Sequence, residues 1–401
     1  VATIETIETP PARPGLQRWL RKNLFSNWFN TLLTILSALI IFFTLRGLLM
    51  WIFFQANWDP VAQNLRLYAV GTYPIEQIWR VWIILYIVSL LMGVSAGKWG
   101  GTVLTFGRVL GIAYLILALL PISFENLPIP SRLLLSANLL FLVLGYIVGS
   151  RPFIRASWVL LSWGISFVVT IVLLGGFKNS TALPSVASGL WGGLLLTFLL
   201  AIVGIVASFP IGVLLALGRQ SKLPVVKALC ILFIEVVRGV PLVTILFMTS
   251  ILLPLFLPEN IRIDRVLRAM MGMTLFAAAY MAENVRGGLQ SIPNGQYEAA
   301  KAMGLNNVQT TVLIILPQAL RVVIPAIVGQ FIALFMDTTL AVIVGLLELL
   351  AVGSAILNSN PQWLFYDMEV YGFIAMVFWV FTFSMAYASR RVEEATGLGK
   401  R

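Results

Sequence analysis

Uninterrupted apolar runs recur along this chain, each roughly 17–25 residues long, the length at which an α-helix crosses the hydrocarbon core of a bilayer. They fall near residues 31–54, 79–97, 102–120, 133–149, 157–175, 189–217, 227–253, 266–287, 322–349 and 370–388. Composition points the same way. Of the 401 residues 59% are hydrophobic and 11% charged, and the mean hydropathy is +0.95, whereas a soluble globular chain carries about 25% charged residues. The runs predict an all-α, polytopic integral membrane protein with about ten transmembrane helices.

In such a chain the net charge of +11 needs no nucleic-acid partner, because loops on the inner side of a membrane collect Lys and Arg. Cys230 is the only cysteine and histidine is absent. An intrachain disulfide and His-based metal or acid–base chemistry are therefore excluded. Residues 1–30 form a basic tail; Pro10, Pro11, Arg13, Pro14, Arg18, Arg21 and Lys22 leave no apolar core for a cleavable signal peptide. The tail is expected inside. About ten spans then return Arg390, Arg391, Lys400 and Arg401 to the same side. Lys98, Arg151, Arg155, Arg219, Lys222 and Lys227 fall on predicted inner loops, and Glu125, Glu259 and Asp367 on outer ones. Arg262, Arg265 and Arg268 run against this order, as a solvated helix start or a face for an acidic partner.

The texture changes near residue 180. Residues 31–180 hold five runs with few charges; Arg46 and Arg108 lie in or near spans and are expected to snorkel to an interface. Trp51, Trp58, Trp79 and Trp82 read as interfacial belts. Gly175–Ser188, with Gly176, Asn179 and Pro184, reads as a linker. Beyond it one pattern occurs twice, as Glu235-Val-Val-Arg238-Gly239 and Glu283-Asn-Val-Arg286-Gly287. A hydrophilic interruption follows, from Arg286 to Gln309. Its middle, Glu298-Ala-Ala-Lys-Ala-Met-Gly304, has high helix propensity, with Gly304 suited to a helix C-terminus. Ala299, Ala300 and Met303 are expected on one small apolar face. Two readings fit: a helix lying on the membrane surface, or a helix shaped for another protein's groove.

Glu298-Ala299-Ala300, then Gly304, Ile314 and Leu316-Pro317, resemble at every fixed position the EAA signature of ABC importer permeases. Ala279 to Glu283, Gly295-Gln296-Tyr297, Pro317 to Arg321, Asp337 to Leu340, Leu214 to Arg219 and Arg238 to Leu242 are similar to the polar amino acid uptake group. The resemblance covers about 185–395, and the five-span leader resembles the long permease of general L-amino-acid systems. It implies a type I importer core of five helices at 185–395, in the bacterial inner membrane with both termini cytoplasmic. It further implies that the loop at 289–319 couples to a separate dimer of ATPase subunits through Glu298, Ala299, Ala300, Gly304 and Leu305. Also implied are a second permease subunit, a periplasmic amino-acid-binding protein and broad polar, neutral and acidic L-amino acid substrates. The chain itself is expected to be non-catalytic and to hold no cofactor. It has no phosphate loop, since Gly93 to Lys98 is misspaced and followed by Trp99. ATP and Mg are expected on the partner ATPase.

A zwitterionic substrate needs both charges along its path. Glu235 and Arg238 lie one helical turn apart, roughly 12–17 Å into a straight seventh span, with Pro241 breaking the ladder beyond them. They are read as lining the path or as an internal salt bridge. Asp337, Thr338 and Thr339 interrupt the ninth span and line the path or brace a dimer; the resembling family has Lys before this Asp, where Met336 stands. Glu283 and Arg286 are expected to position the coupling loop. The alternative is an ion-coupled secondary amino acid transporter, which would often show inverted repeats with broken helices in corresponding positions; none is evident.

Overall fold

The computed structural model describes residues 15–119, 131–258 and 260–396. Most of the basic tail, with Pro10, Pro11, Arg13 and Pro14, and the loop charges Glu125, Glu259, Lys400 and Arg401 lie outside the described residues. Contacts divide the chain after Trp58, into Val1–Trp58 and Asp59–Arg401. The first unit holds α1 (Leu16–Asn23) and α2 (Trp28–Met50), which runs on through a π-helical turn at Trp51–Gln55. Asn27 caps α2 by accepting from the Asn30 amide at 2.8 Å. No residue of α2 is buried, as suits a helix whose every face is apolar and meets lipid.

The second unit opens with two short helices, α3 (Asp59–Ala62) and α4 (Leu65–Val70), followed by α5 (Trp79–Trp99), α6 (Gly101–Leu119), α7 (Ser131–Gly149) and α8 (Ala156–Gly175). Glycine welds α5 to α7. A Cβ on Gly93 would strike the Leu142 carbonyl, one on Gly97 that of Tyr146, one on Gly145 that of Leu90, and one on Gly149 that of Val94. Two small residues at i and i+4 on each helix let the backbones touch, which is how helices associate where lipid removes the hydrophobic drive. Ser89 of α5 donates to Asn138 of α7 at 3.0 Å and shares a bond with Tyr114 of α6 at 2.9 Å, so this apolar trio has one polar tie.

Residues 175–188 are not a loose linker. Phe177 N–H donates to the Leu183 carbonyl at 2.8 Å and Val186 N–H to that of Gly175 at 2.9 Å. The fully buried Arg80 donates to the carbonyls of Leu173 (3.2 Å) and Pro184 (2.8 Å), and the Tyr73 hydroxyl to that of Leu174 (3.1 Å). Burying an arginine costs least when its donors are met; here the Leu173 carbonyl at the end of α8 and the Pro184 carbonyl in the segment beyond it take two of them, and Nε is left without a partner. Trp82 is also buried, at 9% exposure, so it is no belt residue.

The patterned half comprises α9 (Gly193–Arg219), α10 (Pro224–Gly239), α11 (Leu242–Phe247), α12 (Leu253–Phe256), α13 (Arg265–Gln290), α14 (Asn294–Ala302), α15 (Asn307–Gln309), α16 (Leu316–Asp337), α17 (Leu349–Ser359) and α18 (Asp367–Thr396). Its core is not closed off from the leader. One apolar cluster unites Tyr73, Ile84 and Leu174 with Leu200 of α9, Met273 of α13 and Leu334 of α16. A second, of Ala216, Ile234, Met281, Val285, Ile315 and Ala319, lies toward the end that carries α14.

Among the described residues, eight helices are long and apolar enough to cross a membrane, or nine if α10 and α11–α12 form one bent span. The remaining expected span is α13, whose arginines and Glu283 dilute its apolar content. Its 26 residues extend roughly 39 Å, and its middle is buried. The expected straight span at 227–253 is corrected: α10 and the α11–α12 segment meet at 109°, because Pro241 follows Val240 in extended backbone and Pro cannot continue the helical ladder. The ninth span begins earlier than expected, at α15. After α16 it tightens into a 3₁₀ helix at Thr338–Val344, and the buried α17 lies beyond.

Candidate functional site

Two features stand at the end of the molecule where α13 meets α16. The first is the hydrophilic segment between them. Pro293 starts α14, and a Schellman arrangement ends it: Leu305 N–H donates to the Ala300 carbonyl at 3.1 Å and Gly304 N–H to that of Lys301 at 2.9 Å. This geometry needs a left-handed residue just past the helix, and Gly304 has φ +78°. Asn306 and Gln309 then cap each other's backbone at 2.9 and 3.0 Å, which begins α15 and the π turn into α16.

The expected shared face of Ala299, Ala300 and Met303 is corrected. Ala300 turns inward, at 4% exposure, while Ala299 is exposed and Met303 is 81% exposed. Glu298 and Gly304 are exposed and Leu305 half-buried. Tyr297 and Ile292 pack into the second apolar cluster, and Gln318 of α16 donates to Gln296 at 3.1 Å. The segment is thus a stiff bracket fixed to α13 and α16, with Glu298, Ala299 and Met303 facing out.

The second feature is a cluster of five charges. Arg219, the last residue of α9, lies 2.9 Å from Glu235 and 3.6 Å from Glu283; Arg238 lies 3.6 Å from Glu283. Arg286 pairs with Glu283 one turn away and donates to Gln290 at 2.7 Å. The two Glu-x-Val-Arg-Gly patterns, far apart in sequence, therefore meet in space. Glu283 is the hub and serves three guanidiniums. Arg238 also lies over the Tyr280 ring, 5.4 Å from its centroid, an attractive cation–π placement, and its Nε is buried without a partner. Three arginines against two glutamates leave the cluster one positive charge in excess.

The depth expected for Glu235 and Arg238 is corrected. It rested on a straight span, and the 109° bend removes that measure. Arg219 places Glu235 level with the C-terminal end of α9, where its side chain is 54% exposed. Arg219 itself was read only as a loop charge; its place closing a span just before α10 was the signal available.

Asp337, Thr338 and Thr339 do not join this cluster. Gly204 of α9 faces Leu334, and Arg219 lies fifteen residues further along α9, roughly 22 Å away. Asp337 is half-buried, and both threonine hydroxyls donate to their own helix, Thr338 to Phe335 at 2.7 Å and Thr339 to Met336 at 2.9 Å. Near this end the sequence reading missed Glu348. Fully buried, it caps α17 by accepting from Leu350 and Ala351 amides at 2.8 Å each. An acid directly before Leu-Leu-Ala was the available sign.

The family of this apolar helical assembly, with its polar bracket between two core helices, follows from its similarity to known proteins. Residues 208–395 match the binding-protein-dependent transport system inner membrane component. The chain belongs to the permease subunits of amino-acid ABC importers, multi-pass proteins of the inner membrane. It is 38% identical to the inner membrane amino-acid ABC transporter permease protein YhdY of Escherichia coli K12, over 95% of this chain and 93% of that one. To the glutamate/glutamine/aspartate/asparagine transport system permease protein BztC of Rhodobacter capsulatus it is 36% identical, over 96% and 94%. The probable glutamine ABC transporter permease protein GlnP of Bacillus subtilis is 36% identical over 51% of this chain and 92% of its own length, so a permease of about half this length occurs in the group.

Proposed function

We propose that this chain carries amino acids from the outer to the inner face of the membrane, driven by separate ATPase subunits that dock on the Glu298–Gly304 bracket. The observation that carries the reading is the bracket's build. Its ends are fixed to α13 and α16, and its outer face offers Ala299, Met303 and the acid Glu298 to a partner. A push on such a piece moves both helices as rigid bodies. In this reading the bracket is cytoplasmic, as are both termini, and ATP and Mg sit on the ATPase dimer. A periplasmic binding protein delivers substrate at the opposite end, and a second permease subunit completes the path.

The relative named for glutamate, glutamine, aspartate and asparagine supports a broad polar and acidic L-amino acid range. The excess positive charge of the five-residue cluster suits substrates with a second carboxylate. Within the cluster, Glu235 is held by Arg219, which favours a structural pairing for it. Arg238, with a free Nε, is the better path residue. Glu283 and Arg286 sit where the bracket joins α13 and would transmit its movement. Asp337, Thr338 and Thr339 belong to the outer part of the path.

The test is transport in proteoliposomes containing the assembled importer. Gly304→Val forces an L side chain into a left-handed position, which costs roughly 1–2 kcal/mol locally, while a Cβ there meets no neighbour. The variant is expected to insert normally but to lose most substrate-stimulated ATPase activity and uptake. Unchanged rates would refute docking through this segment. Uptake sustained by an ion gradient without the ATPase would instead support an ion-coupled secondary transporter.

A further inference from the structure

The leader contains a cavity that the transport reading does not use. It has a volume of about 280 Å³ and is open to one side. Its walls are single helix faces: Gly93 and Ala96 of α5, Leu104 and Gly107 of α6, and Leu142 and Tyr146 of α7. The cavity exists because α5 and α7 meet backbone to backbone and leave α6 to pack beside them, where Gly107 and Gly111 contribute no side chain. A Cβ on Gly111 would already lie 3.3 Å from Leu142 Cδ2.

Arg108 is the only charged residue in the lining. It lies seven residues into α6, roughly 10 Å from the helix start, and it is exposed. It has no ion-pair or hydrogen-bond partner among the described residues. From residue 81 to 175 the sequence holds one carboxylate, Glu125, which follows the opposite end of α6. Lys98 and Trp99 end α5, and Arg151 follows α7, at the same end as Arg108. The place therefore combines an apolar furrow in a membrane-spanning region with cations and aromatic rings at its rim.

The geometry points to a binding site for one anionic phospholipid, with an acyl chain in the furrow between α5, α6 and α7 and its phosphate at Arg108, backed by Lys98 and Arg151. An unpaired arginine at this depth favours an anion, and the three helices that line the furrow, α5, α6 and α7, carry no carboxylate of their own. The bilayer supplies phosphate at the level a snorkelling arginine reaches, and basic pockets between transmembrane helices take acidic headgroups. A zwitterionic lipid would fill the furrow equally well but would gain less from the excess positive charge. The seat lies in the leader, so the site is independent of the transport reading.

Native mass spectrometry of the full-length chain in its purified complex tests this. The probes are phosphatidylglycerol and phosphatidylcholine of equal chain length, titrated singly and in competition. Wild type is expected to keep one tightly held phosphatidylglycerol, preferred by about fivefold or more, the scale of one cation near an anionic headgroup. Arg108→Gln, a change at an exposed position, is expected to bring the two lipids to parity. Arg46→Gln, on a different span, is expected to leave the preference intact. Equal retention of both lipids by wild type overturns the proposal, as does an unchanged preference in Arg108→Gln or an equal loss in Arg46→Gln. So does a furrow filled by a second permease subunit, seen as no lipid retained in the assembled complex.

Discussion

The seam between α5 and α7 and the charged end of α9, α10 and α13 join helices by opposite means. At the seam, Gly93, Gly97, Gly145 and Gly149 bring backbones into contact, and nothing polar crosses except the tie at Ser89, Asn138 and Tyr114. At the charged end, long side chains hold helices apart and together at once. Glu283 is shared among Arg219, Arg238 and Arg286, and α10 is bent by 109° from its continuation. A backbone seam has one arrangement, because any slide drives a carbonyl into a neighbour. An ion-pair hub beside a proline break has several, because a guanidinium can exchange carboxylates over a short reach. The contrast predicts that the leader keeps its arrangement during transport while the core changes its own.

Gly145→Leu is the strongest way to break this contrast. Its side chain would collide with the Leu90 carbonyl, and overpacking of this kind costs about 3 kcal/mol or more. Little folded protein should reach the membrane, as read by fluorescence-detected size exclusion of a tagged chain. Normal yield and melting temperature would show that the seam can yield.

Glu283→Gln removes the hub and leaves three arginines with one carboxylate. Its side chain is 24% exposed, so the expected loss is about 1–2 kcal/mol, less than for a fully buried pair. Thermal unfolding should report that loss, and ATP hydrolysis in the assembled importer should become less dependent on substrate. Glu235→Gln should do least, under about 1 kcal/mol, since an exposed bridge contributes little. If Glu235→Gln abolishes transport while its melting temperature holds, Glu235 touches substrate and the structural reading of the Arg219 pair fails.

Much of the fold is legible in the sequence because a bilayer allows so few solutions. The apolar runs lie in helices, and the short helix before Gly304 stands where propensity put it. What stayed hidden depends on partners distant in the chain. Arg80 looks like a stray charge beside a belt of tryptophans until carbonyls of residues 173 and 184 come to it. Gly175–Ser188 has the composition of a tether, yet those same bonds fold it down. The glycines of α5 and α7 could have been read as paired small-residue motifs, but only the structure says which helix faces which. Glu235 and Arg238 were placed by counting along a straight helix, and the proline that ends that count was seen without its angle. Arg219 closes a span just before α10, which signals a partner on that helix, but nothing in the sequence says that Glu283 of α13 is a second one.

The central claim, that the bracket is the point where force enters, is tested most directly by cross-linking. With Cys230→Ser as background, Ala299→Cys and Met303→Cys place thiols on the exposed face of the bracket, and Lys222→Cys places one on the exposed turn between α9 and α10. In the assembled importer, the bracket thiols are predicted to form a short-linker adduct with the ATPase subunit in a yield that changes on adding ATP, and Lys222→Cys much less. An ATPase adduct from Lys222→Cys with none from the bracket positions would contradict the account.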